Sequence, residues 1–410
     1  MSESTGPAGQ LGAGARWSIM IVSLGITASS FLFIGGVAFL IPAFEARRGI
    51  SLTAASLLSS MPSWGMVVTL VGWGYVLDRV GERFVLTVGS ALTAAAAYGA
   101  ASSHSLVLIG VYLFLGGMAA ASCNSAGGRL VSAWFPPERR GLAMGIRQTA
   151  QPLGIALGAF MLPELSERGP RAGLMFLAVL CAVAAVAGAL GIVDPPRKPR
   201  HEAGERELAS PYRGSSILCR IHAVAALLMV PQTVTATFML VWLMHHHGWS
   251  AASAGALVTI TQLLGAVGRI LVGRWSDRVG SRLRPVRAIA VAAAATLLLL
   301  ALTDGGILDV PLMVALSVIA VLDNGLEATA ITEHAGPFWS GRALGLQNTG
   351  QRLTAAAGPP VVGATIMAAG YPAAWALCAL FPLAAVALVP SDSGSTQRDR
   401  KDLVGARVAQ

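Results

Sequence analysis

Two charged hexapeptides, Asp78-Arg-Val-Gly-Glu-Arg83 and Asp277-Arg-Val-Gly-Ser-Arg282, lie 199 residues apart. Each is preceded by a glycine, giving Gly74-x-x-x-Asp78-Arg79-Val-Gly81-x-Arg83 and Gly273-x-x-x-Asp277-Arg278-Val-Gly280-x-Arg282. Glycine lets a helix end and the chain reverse closely. An aspartate at that point can face the amide-rich start of another helix, where the macrodipole favours an anion. The chemistry on offer is that of a latch, a set of bonds that hold two bodies together and can be broken.

A second set of residues is ionisable but embedded in apolar sequence. Gly341-Arg-Ala-Leu-Gly-Leu-Gln-Asn348-Thr-Gly-Gln351-Arg352 carries a guanidinium eleven residues in, about 16 Å deep at 1.5 Å per residue. Asp323-Asn324-Gly-Leu-Glu327 carries two carboxyls one helical turn apart. Arg129, Arg147 and Arg269 lie shallower, and Arg147 has Gln148 and Gln151 beside it. Arginine binds both oxygens of a carboxylate through its planar fork. Asp323 or Glu327 is expected to pair with Arg352, or to carry a proton or contact a substrate. Four arginines against two carboxyls leave a positive excess, which points to an anionic solute. His245-His246-His247 is read as a wet interfacial cluster, because consecutive residues fan around a helix; no metal site is expected.

These groups need elements to hold them. Hydrophobic residues make up 54% of the 410-residue chain and charged residues 12%, against roughly 25% charged in a soluble domain. The solvent for such a chain is lipid. A bilayer core of about 30 Å takes about 20 apolar residues per helix. Twelve runs fit, near 17–44, 51–76, 84–103, 105–134, 143–165, 172–193, 217–244, 250–274, 287–304, 310–335, 343–370 and 373–390. The first is too long for a cleavable signal, and no Lys or Arg precedes it within residues 1–15. Of the 29 basic residues, all but eight fall at one set of alternating ends; Arg47, Arg48, Arg168 and Arg171 fall at the other, and four lie inside helices. The positive-inside rule makes the first set cytoplasmic, together with both termini. The expected fold is therefore an all-α polytopic membrane protein. It divides into an N-terminal tail (1–16), a six-helix bundle (17–193), a linker (194–216), a second six-helix bundle (217–390) and a C-terminal tail (391–410). Proline, glycine and mixed charge mark the linker as disordered. The net charge of +9 reflects topology rather than nucleic-acid binding, because the basic residues are scattered over short loops. Cys123, Cys181, Cys219 and Cys378 have no metal-ligand spacing and are expected to form no disulfide.

The repeat extends beyond the hexapeptides. Gly49-Ile-Ser51 corresponds to Gly248-Trp-Ser250, Asn124 to Asn324, and Gly141-x-x-x-Gly145-x-x-x-Thr149-x-Gln151 to Gly341-x-x-x-Gly345-x-x-x-Thr349-x-Gln351. Parallel repeats of this kind are related by an axis along the membrane normal. On these motifs, and over about residues 17–390, the chain resembles the major facilitator superfamily, whose loop pattern between helices 2 and 3 is G-x-x-x-D-R/K-x-G-x-R/K. The resemblance implies two six-helix bundles with pseudo-two-fold symmetry around a cavity lined by helices 1, 4, 7 and 10, working by alternating access. It also implies that Asp78 meets the start of helix 11 near Arg342, and Asp277 the start of helix 5 near Arg140, closing a cytoplasmic gate. Departures are informative. Tyr112 stands where drug antiporters have arginine, Gly154-x-x-x-Gly158 replaces their proline-glycine motif, and the sugar-porter signature is absent.

No nucleotide fingerprint, phosphate loop or catalytic motif is present, so no cofactor and no enzymatic activity are expected. The reading is a monomeric, proton-coupled secondary transporter of the inner or plasma membrane, moving a small anionic solute. The alternatives are an exporter of hydrophobic compounds and a transporter-like sensor that does not transport.

Overall fold

The computed structural model describes residues 11–391, apart from Arg197, Arg200 and Asp304. The remainder of both expected tails lies outside these residues. The elements are α1 (Ala13–Ala46), α2 (Leu52–Val80), α3 (Glu82–Ser102), α4 (Leu106–Trp134), α5 (Pro137–Arg147 and Ala150–Ser166), α6 (Pro170–Gly191), α7 (Ile217–His245), α8 (Ala251–Val279), α9 (Leu283–Leu302) and α10 (Asp309–Ala335). The last element, Ser340–Leu388, is 49 residues long. Straight, it would span about 74 Å at 1.5 Å per residue, more than twice a bilayer core. It turns back at Gly370, whose φ of 82° only glycine adopts readily, so α11 precedes Gly370 and α12 follows it. Both ends of this element meet the same surroundings: Trp339 Nε1 donates to Leu208 O, and Arg220 Nε donates to Leu388 O. The result is twelve helical passes among the described residues.

The repeated motifs are turn and cap chemistry. Gly49 and Gly248 take φ of 63° and 70° after α1 and α7. Ser51 and Ser250 then cap α2 and α8 by accepting backbone amides of Ala54 and Ser253. On the opposite side of the molecule Gly81 and Gly280 reverse the chain after α2 and α8 with φ of 109° and 65°. Outward-pointing Leu190 and Leu302 are 80% and 82% exposed, a surface suited to hydrocarbon rather than water.

Three apolar cores form. One lies within each bundle, and a third joins Leu77, Val85, Leu130 and Trp134 to Leu218, Leu283, Leu326 and Leu344. This shared core sits on the face that carries the linker. There α2 packs against α11 and the first piece of α5 against α8, so the two halves are clamped together on the linker face.

The linker is not the disordered strand that its composition suggests. Arg83 N donates to Asp194, and Trp339 Nε1 to Leu208 O. Glu205–Leu208 forms a helical turn whose Glu207 binds Lys198, and burial against its neighbours pushes the Tyr212 phenol up to about 12. Its polar groups find partners on the exposed helix ends, which a composition count does not register.

Candidate functional site

Three helices break where they pass the centre. Helix α4 breaks at Ala121, α5 at Gln148–Thr149, and α10 over Ala320–Asp323. Irregular backbone at membrane depth must find hydrogen bonds within the protein. Arg147 supplies them to α4, donating to Cys123 O and Asn124 O at 3.0 Å each. Arg269 does so for α10, donating to Val321 O at 3.1 Å, and it also reaches Gln148 O at 3.3 Å in the other half.

Between the breaks is a cavity of about 70 Å³. Arg147, Arg269 and Arg352 line it, with the amides of Asn124, Gln148, Gln151, Gln232, Asn324, Gln347, Asn348 and Gln351. No carboxylate is among the lining residues. Asn324 bridges the wall, donating to Gln232 Oε1 at 3.1 Å and accepting from Gln351. Arg352 differs from the other two arginines. Its guanidinium lies 5.9 Å from the Phe31 ring, and among the described residues no carboxylate or hydrogen-bond acceptor engages it. The expected Arg352 pair with Asp323 or Glu327 does not form.

The two carboxyls of α10 stand behind the wall rather than in it. Asp323 and Glu327 are 2% and 1% exposed. Glu327 Oε2 accepts from Gln347 Nε2 at 3.4 Å, and each residue keeps one carboxyl oxygen without a partner. The break at Ala320–Asp323 sets the rotation of the second half of α10, and sequence spacing alone could not supply that angle. Sequence reasoning also missed Gln232 as a lining residue. A lone amide beside Pro231, in an otherwise apolar run, was the available signal.

On the linker face the hexapeptides span the two halves. Asp78 accepts from Gly341 N at 2.8 Å, from Arg342 N at 3.1 Å and from Arg342 Nε at 2.9 Å. Asp277 accepts from Gly141 N and Leu142 N, both at 2.8 Å. Arg140, expected near Asp277, pairs instead with Glu333 at 3.4 Å. Arg129 belongs to this layer and not to the cavity: it binds Asp78 and Glu82 at 3.2 Å each. Gly74 crosses Gly341, and Gly273 crosses Gly141, so closely that a Cβ on any of the four would strike the facing backbone. Arg79 lies over Tyr75, Arg83 bonds Ala189 O, and Arg282 bonds Asp277 at 2.6 Å. Gly81 and Gly280 take positive φ in the turns after α2 and α8, and Arg278 lies in the last turn of α8.

The family model described as Major Facilitator Superfamily matches residues 23–359. An uncharacterised MFS-type transporter of Mycobacterium tuberculosis (strain ATCC 25618 / H37Rv) is 75% identical over 381 residues, covering 92% of this chain and 86% of that protein. Among solved structures, the human organic anion transporter MFSD10 (TETRAN) matches with a TM-score of 0.72 at 18% identity, covering 92% of this chain and 99% of that one. FucP, an MFS transporter in the outward conformation, matches at 0.70 and 17%, covering 90% and 98%. The proton:xylose symporter XylE matches at 0.71 and 14%, covering 93% and 97%. At these identities the structural likeness concerns the fold alone.

Proposed function

This chain belongs to the Major Facilitator Superfamily and is a membrane transporter, not an enzyme; from that premise we propose that it carries a small anion through the central cavity by proton-coupled alternating access. The reading rests on Arg352. A guanidinium near the bilayer centre costs at least about 2.5–3.5 kcal/mol, and a protein normally offsets such a cost with a carboxylate. Arg147 and Arg269 are occupied in satisfying broken helices. Arg352 has only the Phe31 ring, and an arriving anion would complete its coordination. Gln151, Asn324, Asn348 and Gln351 offer amide donors and acceptors to orient that anion. Fold neighbours that handle organic anions, fucose and xylose do not discriminate among substrates. The polar lining and the volume, against ~300–1,000 Å³ for drug-sized pockets, favour a small solute over a lipophilic drug.

Asp323 and Glu327 serve the proton in this reading, buried one turn apart, with Glu327 linked to the cavity through Gln347. The linker face is cytoplasmic, because most basic residues lie at its ends. The bonds of Asp78 and Asp277 to the starts of α11 and α5 hold that side shut and break when it opens.

The test uses purified protein in liposomes containing a pH dye, challenged with small organic and inorganic anions under an imposed proton gradient. Anion-dependent proton movement is expected, abolished in Arg352→Gln. Asp323→Asn should leave anion binding but uncouple the proton. Unchanged flux in Arg352→Gln, or silence across the panel, overturns the reading.

A further inference from the structure

On the face opposite the linker, the end of α7 does something that the triple histidine alone does not disclose. The helix stops at His245, and His246 and His247 lie in the turn that follows. Gly248 takes a φ of 70°, and Trp249 N closes back onto Leu243 O at 3.0 Å. Beyond the last helical residue, consecutive side chains no longer diverge by the helical 100°, and the two imidazoles approach to 5.2 Å between ring centres. The third group comes from the start of α10. Asp309 is 1% exposed, and its Oδ2 lies 3.9 Å from His247 Nε2. One ligand atom from each of His246, His247 and Asp309 falls within 4.8 Å of the others.

We propose that His246, His247 and Asp309 form a binding site for a borderline divalent cation of the Zn²⁺ class, tying the outer end of α7 to the start of α10. Two imidazole nitrogens and one carboxylate oxygen suit Zn²⁺, whose Zn–N and Zn–O bonds are about 2.0–2.2 Å and whose preferred geometry is tetrahedral. Tetrahedral donors at that radius stand about 3.4 Å apart, so the present spacing closes onto a metal by small side-chain rotations. The fourth position faces outward, because His246 is exposed, and it would take water.

The surroundings hold these donors in the way a metal requires. Asp309 Oδ1 accepts from Thr303 Oγ1 at 2.7 Å, and Oδ2 accepts from Gly305 N at 2.6 Å. Such outer bonds fix a ligating carboxylate. The indole of Trp242 stands edge-on to the His247 ring at 4.3 Å, and Tyr371, from the turn between α11 and α12, lies 5.3 Å from His246. His247 Nε2 is the telling atom: it is buried, it has no hydrogen-bond partner, and it is directed near the buried Asp309. Such a nitrogen normally finds a partner, and a cation shared with Asp309 is the partner that uses all three groups. His245, still on the helix, is left out of the site.

The experiment titrates untagged, full-length protein in detergent with Zn²⁺ against a chromophoric chelator. Co²⁺ is used in parallel for its visible tetrahedral absorption. One Zn²⁺ per chain is expected, raising the thermal midpoint in a manner reversed by a strong chelator. His246→Gln alters an exposed side chain and should fold normally; it should weaken binding at least tenfold, as should Asp309→Asn. His245→Gln should bind like the parent. Stoichiometric binding retained in both His246→Gln and Asp309→Asn overturns the site, as does the absence of a Zn²⁺-dependent midpoint shift in the parent. A Co²⁺ spectrum without tetrahedral bands would also overturn it.

Discussion

The two hexapeptides are the same device with different electrostatic backing. In both, an aspartate at a helix end accepts amides from the start of a helix in the other half, and a glycine crosses a glycine. The backing diverges. Asp78 is flanked by Arg342 and by buried Arg129, which also holds Glu82. Asp277 has Arg282 from its own loop, which continues to Pro137 O and the half-exposed Glu333. The counterpart arginine of the first loop, Arg83, turns away to Ala189 in its own bundle. At the repeat offset, Thr329 stands in place of Arg129 and Ser281 in place of Glu82. What the repeat preserves is the backbone contact, and the arginines are local solutions to screening the aspartate.

The strongest way to break the comparison is to attack what both copies share. In Gly74→Ala and Gly273→Ala the added carbon meets a facing backbone carbonyl, which cannot move aside like a side chain. Overpacking of about 1–3 kcal/mol would fall on the closed arrangement alone and shift the equilibrium about 5–150-fold. Both variants should lose transport to a similar degree. Both should expose Gln351→Cys to a membrane-impermeant maleimide supplied from the linker face. Loss confined to one copy would show that the two crossings are not equivalent.

Next in size, the aspartates should separate the copies. Asp78→Asn leaves a buried cluster with an uncompensated arginine, an imbalance worth about 3–5 kcal/mol. Asp277→Asn removes a charge partner from Arg282, which still has Glu333 nearby, and should cost about 1.5–3 kcal/mol, the scale of a charged hydrogen bond. Thermal midpoints in detergent would rank them. Equal losses would mean that Arg129 adds nothing to the first copy.

Much of this layer could be read from the sequence, because charge is scarce and each repeat of it is conspicuous. The twelve passes, the twofold repeat and the meeting of Asp78 with the start of α11 followed from spacing and family resemblance. Arg129 did not: it looked like one more intramembrane arginine, because nothing in a linear pattern says that Leu77 and Asp78 lie beside it. Helical spacing puts Asp323 and Glu327 on one face, and the family resemblance turns that face to the cavity, but the break at Ala320–Asp323 sets both carboxyls behind Asn324. Asp309 is 62 residues from His247, a separation at which pairing is invisible without the fold.

A smaller effect is expected from the arginines that end each loop. Arg282→Ala removes a bond to Asp277 within its own loop and a bond to Pro137 O that spans the halves, so maleimide access from the linker face should rise several-fold, for about 1 kcal/mol of lost hydrogen bonding. Arg83→Ala removes a bond within one bundle and should leave access within about twofold, as surface changes of ±0.5 kcal/mol do. Equal responses would return the two arginines to a single shared role.

The smallest effect concerns the linker, which reaches the first copy's partner through Trp339. Tyr212 hydrogen-bonds His222 at 2.9 Å and packs edge-on to Trp339, whose ring lies 3.6 Å from the Arg342 guanidinium. Burial raises the Tyr212 phenol from 10.0 to about 12. The protonated phenol is therefore the form that the folded linker favours. Its contribution is fully present below pH 10 and is lost as pH rises through about 12, because the released linker ionises first. Tryptophan fluorescence followed between pH 9 and 12 should show this step, and Tyr212→Phe should remove it while leaving the Asp277 side unchanged. Because Trp339 connects the linker to Arg342, the parent should also show higher maleimide access from the linker face as the step is crossed. A linker that detaches without changing access would be a tether and no part of the Asp78 contact.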